Sequence, residues 1–228
     1  MTADQKEGMV SIIGSAYFQP ISDLLEKLFQ RPAGQNLNPV QVGSMENGYS
    51  VSICVLAVLC LESYLMRVRY INRKHPSSQK KNVLDFLEDL YPSFPSLEAL
   101  TETFVLRDLL AHNHLWVIEF LWDEESGMKL LGAMKDSVSG DRKYKEHVDI
   151  VNRKTKLLEL NVLPTRVSRK DVGKVLRTIW DALIYIEKQN RNQCYISHLA
   201  ARFQGKHIRF GELISDIHKE CMSTYQST

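Results

Sequence analysis

Apolar residues recur at helical spacing along most of this chain. The strongest run is 49–73, where Ile53, Leu56, Ala57, Cys60, Leu61, Tyr64, Leu65 and Val68 fall three and four apart and Pro76 stands just beyond. Its nearly continuous apolar middle predicts burial on most sides. Before it, Pro20 opens an amphipathic turn with Ile21, Leu24, Leu25 and Leu28, and the Pro/Gly/Asn-rich stretch 31–39 breaks it. A second helix is expected over about 79–90 (Val83, Leu84, Phe86, Leu87, Leu90). A third starts at Ser96, a plausible N-cap, and carries Leu97, Leu100, Phe104 and Val105 into Arg107.

Past position 114 the period changes. Trp116 to Trp122, a turn-like Asp123-Glu124-Glu125-Ser126-Gly127 and Met128 to Met134 predict a hairpin-like insertion, with continued helix as the rival. Residues 136–145 read as a polar loop, and 147–166 fit strand or helix equally. The last clear helix, 168–190, opens on Ser168-Arg169-Lys170-Asp171, a capping-box pattern, and repeats Val172, Val175, Leu176, Ile179, Leu183 and Ile186. The expected class is all-α, a helical bundle of four to five main helices with a possible small β-hairpin. The division is a lead-in helix and loop at 1–48, a helical domain at 49–190, and a helical extension and tail at 191–228.

Composition narrows the function classes only slightly. With 44% hydrophobic and 25% charged residues the chain is an ordinary globular protein. The longest unbroken apolar run, Ile53 to Leu61, is shorter than the roughly 20 residues a bilayer helix needs, and residues 1–10 show no secretory h-region. Four cysteines without zinc-site spacing fit a reduced, cytoplasmic chain with no cofactor, no metal and no membrane association. The formal charge of +2 is uneven. Residues 1–146 hold 15 basic against 19 acidic groups, 147–209 hold 13 against 5, and the remainder 1 against 3. The basic block can dock phosphates, or it can be a solvated helix face.

The chemistry concentrates in Arg107-Asp108-Leu109-Leu110-Ala111-His112-Asn113-His114. Arg-x4-His spacing alone is weak, since about 0.4 such pairs are expected by chance and the chain holds three. Arg142/His147 enclose a charged loop, and Arg202/His207 enclose Gly205. Only Arg107/His112 combine the spacing with an adjacent acid, an apolar spacer and the end of a buried helix.

That hexapeptide resembles the Arg, Asn-or-Asp, three residues, His signature of the HEPN superfamily of small helical-bundle proteins, many of them RNA-cutting toxins or antiviral effectors. The order of helices over about 49–190 is similar as well. The resemblance implies metal-independent endoribonuclease activity, with 2′-hydroxyl attack giving a 2′,3′-cyclic phosphate and a 5′-hydroxyl. Arg107 would hold the phosphate, His112 would move the proton with His114 assisting, and Asp108 would orient them. It also implies a homodimer whose two motifs meet across a cleft. The alternative is a catalytically inactive dimer that binds RNA, a nucleotide or a partner protein. Candidate RNA-binding rim residues are Arg67, Arg69, Arg73, Lys154, Arg166, Arg169 and Lys170, each of which also fits a solvated surface charge. A Tyr two residues after the His, which some members offer to a nucleotidylating antitoxin, is here His114, so any regulatory partner is left undefined.

Two further alternatives stand beside the catalytic one. On a regular helix Arg107 and His112 lie about 140° apart and Arg107 and His114 about 20° apart, so a helix running on would favour His114. Arg107 with Glu62 or Asp108 can also be an ion pair that fixes helix packing. As metal ligands, the two histidines lack an obvious third donor. Trp116, Trp122 and Trp180 fit core or interface positions better than base-stacking platforms.

Overall fold

The computed structural model describes residues 13–30, 40–80, 82–112, 115–125, 127–135 and 142–223. Its axis is α2 (Ser44–Ile71), about 42 Å long at 1.5 Å per residue. By length and composition α2 also passes as a membrane-crossing helix, but half of its most apolar window is buried within the fold. Ile53, Ala57, Leu61, Tyr64, Leu65 and Val68 face α1 (Phe18–Phe29), α4 (Leu97–Ala111) and α6 (Arg169–Gln189). Helix α1 buries Phe18, Ile21, Leu25 and Leu28, one stripe of an amphipathic helix.

The helix starts show where local chemistry held. At the head of α6 the Asp171 carboxylate accepts the Ser168 N–H at 2.8 Å and its hydroxyl at 3.1 Å, closing the capping box. Ser96 does precede α4, but it sits at φ 68° and its side chain makes no cap bond. Residues 76–79 form a 3₁₀ turn, and α3 (Val83–Leu90) starts later than its spacing suggests because Asn82 caps it, accepting the Leu84 N–H at 3.0 Å.

The all-α class does not hold. The described residues contain seven α-helices and three two-stranded antiparallel sheets, a mixed architecture that is mostly helical. The predicted hairpin forms as β1 (Trp116–Asp123) and β2 (Gly127–Lys135), in preference to continued helix. It carries a bulge: Glu119 pairs with Gly132 and Phe120 with Leu130, leaving Leu131 over. After α5 (Arg142–His147), the undecided basic stretch becomes two-residue strands β3 (Val148–Asp149) and β4 (Lys154–Thr155) between turns, with Arg153 and Glu159 at positive φ. Strands β5 (Ala200–Phe203) and β6 (Lys206–Arg209) are joined by Gln204 and Gly205, both at positive φ, the geometry of a type I′ turn.

One main core runs from Phe18 to Cys221, so the flanks pack into the same body as the middle. Helix α1 lies against β5, and α7 (Phe210–Ser223) lies against α6. A smaller cluster of Val105, Leu109, Tyr144, Val148 and Val162 seats Trp116, the root of the β1–β2 hairpin.

Candidate functional site

Helix α4 buries Leu106 and Leu109 and leaves Arg107 and Asp108 half-buried between them. This turn faces α2, which brings Glu62 to Arg107. The Arg107 Nη2 donates to the Glu62 carboxylate at 2.7 Å, and Nε stands 3.1 Å from the Asp108 carboxylate as an ion pair without hydrogen-bond alignment. The guanidinium carbon lies 5.6 Å from the Phe104 ring centroid. Burial pushes the Glu62 carboxyl above the usual range, opposed by Arg107 and reinforced by Asp108. Of five guanidinium donors, one serves Glu62 and one faces Asp108; the side chain is 21% exposed, which leaves the others for a ligand.

The helix stops at Ala111. His112 is its C-cap at φ −98° and ψ 7°, its N–H bonds to the Asp108 carbonyl at 3.0 Å, and its imidazole is exposed. The ring makes no hydrogen bond to another described residue, Arg107 included. His114 lies outside the described residues. Among the described residues no group of three His, Cys, Asp or Glu side chains converges as a metal site.

Comparison of the chain with protein-family models, curated proteins and solved structures finds no match.

Within one chain the predicted rim residues are not brought to a single place. Arg166, at the Gln41 carbonyl, and Arg169, facing Glu46, lie near the start of α2 with Lys170 next in sequence, where Asn47 Nδ2 donates to the carbonyls of Pro164 at 2.7 Å and Val167 at 3.1 Å; Lys154 lies on β4, opposite Asp149. Arg67, Arg69 and Arg73 follow from the other end, about 30 Å away along the same helix. Arg169 is only 5% exposed, facing Glu46 at 3.8 Å and the Phe29 ring at 5.2 Å, and drops out as a rim residue. Arg69 is turned onto the Ser78 carbonyl and the Phe86 ring, and Arg73 lies over Tyr70.

A buried acid, Glu102, stands apart from the sequence candidates. It is 1% exposed, and its two oxygens accept the N–H groups of Leu157 and Leu158 at 2.7 Å each. The signal was present: Glu102 is in helical register with Val105 and Leu109, an acid on a buried stripe. Of the rival Arg-x4-His pairs, Arg202 and His207 stand directly opposite each other across β5–β6, both exposed, and Arg142 and His147 end the short α5.

Proposed function

We propose that the Arg107–Asp108–His112 corner is a metal-independent RNA-cleaving site. The supporting observation is the guanidinium held by Glu62 and Asp108 at a helix end, with donors to spare and an exposed imidazole at the adjoining cap. Arg107 contacts the scissile phosphate and stabilises charge on its oxygens as the substrate 2′-hydroxyl attacks phosphorus and the bond to the 5′-oxygen breaks. An imidazole takes the hydroxyl proton and an imidazolium returns one to the leaving oxygen. With His112 as the acid/base of each chain, both steps use a homodimer with two motifs.

The experiment is cleavage of single-stranded RNA in EDTA with analysis of the ends. Cyclic-phosphate products, lost in Arg107→Ala and reduced about 10²–10⁴-fold in His112→Ala with melting unchanged, support the reading. Loss in His114→Ala alone transfers the role to the second histidine.

A second reading, a catalytically silent helical protein, is favoured by the charge at the corner. One guanidinium faces two carboxylates, so with both ionised the net charge is negative and repels phosphate. Intact RNA together with a sharply lower melting temperature in Arg107→Ala decides for it.

A further inference from the structure

Two neighbouring depressions open along the first half of α4, away from the Arg107 corner. One, of about 360 Å³, is lined by Tyr91, Phe94, Leu97 and Leu157 together with Glu88 and Glu98. The other, of about 370 Å³, is lined by Glu98, Glu102, Glu146, Lys156 and Leu157. Glu98 and Leu157 belong to both, so the two form one groove with a shared wall. Glu98 precedes Arg107 by nine residues, about 14 Å along the helix axis.

The walls are set in advance. The Tyr91 hydroxyl donates to Gln193 Oε1 at 2.6 Å, and the Phe94 ring meets Tyr185 edge to face at 4.9 Å. Glu102 holds the Leu157 and Leu158 N–H groups, so the backbone there is fixed while the Leu157 side chain is 56% exposed. A large apolar side chain held out between two depressions on fixed backbone loses little freedom when a ligand covers it.

The charge selects the ligand. Among the described residues Glu88 and Glu98 make no hydrogen bond or close ion pair, and the cation near Glu88, Lys80, is bound to Asp89 at 2.7 Å. In the second depression one cation, Lys156, whose Nζ donates to the Glu146 carbonyl at 2.6 Å, stands against the carboxylates of Glu98, Glu102 and Glu146. The groove is therefore negative on a chain whose formal charge is +2. It repels nucleic acid and anionic bilayers. An aromatic wall beside carboxylates attracts a guanidinium or ammonium group. A second acidic depression across the shared wall suits a second cation of the same segment, because an extended chain presents every second residue to one side.

We propose that this groove binds an extended segment of a partner protein through two basic side chains spaced two residues apart, one in each depression. The first cation lies among Tyr91, Phe94, Glu88 and Glu98, and the second lies by Glu98 and Glu146. The aliphatic stems of both cover Leu157, as long basic side chains cover apolar surface while their heads stay at charge.

The test is fluorescence anisotropy of the labelled peptide Ser-Arg-Ser-Arg-Ser-Gly titrated with the full-length chain, a measurement independent of RNA cleavage. The expected result is saturable one-to-one binding, weakened about tenfold by Glu88→Lys and by Leu157→Ser and also by placing the two arginines side by side in the peptide. Melting should be unchanged, since Glu88 and Leu157 are both exposed. Glu124→Lys makes the same charge change on the exposed hairpin turn and should leave the affinity as it is. Absence of saturation overturns the proposal, as does equal binding of the peptide with Glu for each Arg, or equal weakening by Glu124→Lys. So does spermidine that binds in a Glu88→Lys-sensitive way while the peptide does not, or self-association of the chain, lost in Leu157→Ser, that fills the groove.

Discussion

Glu62 on α2 and Arg107 on α4 meet at 2.7 Å across 45 positions of sequence. The contact ties the long axis of the fold to the helix that ends at His112, and it leaves a half-buried carboxylate whose ionisation is unfavourable despite its partner.

That ionisation makes stability depend on pH. The folded-state pKa of Glu62 is raised above its ordinary 4.5, so the folded chain binds this proton more tightly than the unfolded chain does. Its stabilising contribution is complete below the unfolded value and is lost as pH rises through the folded one. Melting temperatures of wild type and Glu62→Gln should therefore coincide at low pH, and wild type should fall relative to the variant towards neutrality. A gap that widens in favour of wild type as pH rises would show that Arg107 outweighs burial.

Glu102 is expected to matter more for folding than any residue of the corner. Glu102→Ala leaves the Leu157 and Leu158 N–H groups without their acceptor, at about 1–3 kcal/mol each. Urea unfolding should show a loss of about 2–5 kcal/mol. A loss below about 1 kcal/mol would mean that water reaches both groups.

Helices α6 and α7 approach closely at Gly173. A Cβ there would lie 2.9 Å from the Cys221 Cβ and 3.2 Å from its Sγ. Ala gains about 1 kcal/mol in helix propensity, yet overpacking costs about 1–3, so Gly173→Ala should be destabilising on balance. Adding Cys221→Gly should recover part of that loss in a double-mutant cycle, and strict additivity would place the strain elsewhere.

The thiols of Cys60, Cys194 and Cys221 are pushed up to about 12, chiefly by burial, and Cys54 is raised as well. Thiolate is the reactive form, so the folded protein should scarcely react with Ellman's reagent near pH 8, whereas all four cysteines should titrate in denaturant. A fast-reacting thiol in the folded protein would show local opening at that cysteine.

Long helices were legible because period and packing agree: α2 and α6 lie where their apolar spacing puts them. The β1–β2 hairpin was legible too, but the two shorter sheets, β3–β4 and β5–β6, were not. In β5–β6 the turn is Gln204-Gly205, where Gly announces a positive φ but Gln does not, and four-residue strands carry too few positions for a period to show. At the corner, the Arg107–Glu62 pair was among the sequence alternatives, because a lone acid on a buried helix must find a partner. The basic residues fall at opposite ends of α2, which a one-dimensional charge count could not show because it says nothing of distance along that helix.

The docking of α1 on β5 sets an order of events during synthesis. Gln19 Nε2 donates to the Arg202 carbonyl at 3.0 Å and its Oε1 accepts the Arg202 N–H at 2.8 Å; Ser22 joins the same carbonyl, and Glu26 accepts the Gln204 N–H. These contacts span about 180 positions. At ribosomal rates of about 5–20 residues per second, α1 waits about 10–40 s for its strand to emerge. Until then the face of α1 that meets β5 is without its strand, so closure of the fold is a late, high-contact-order step.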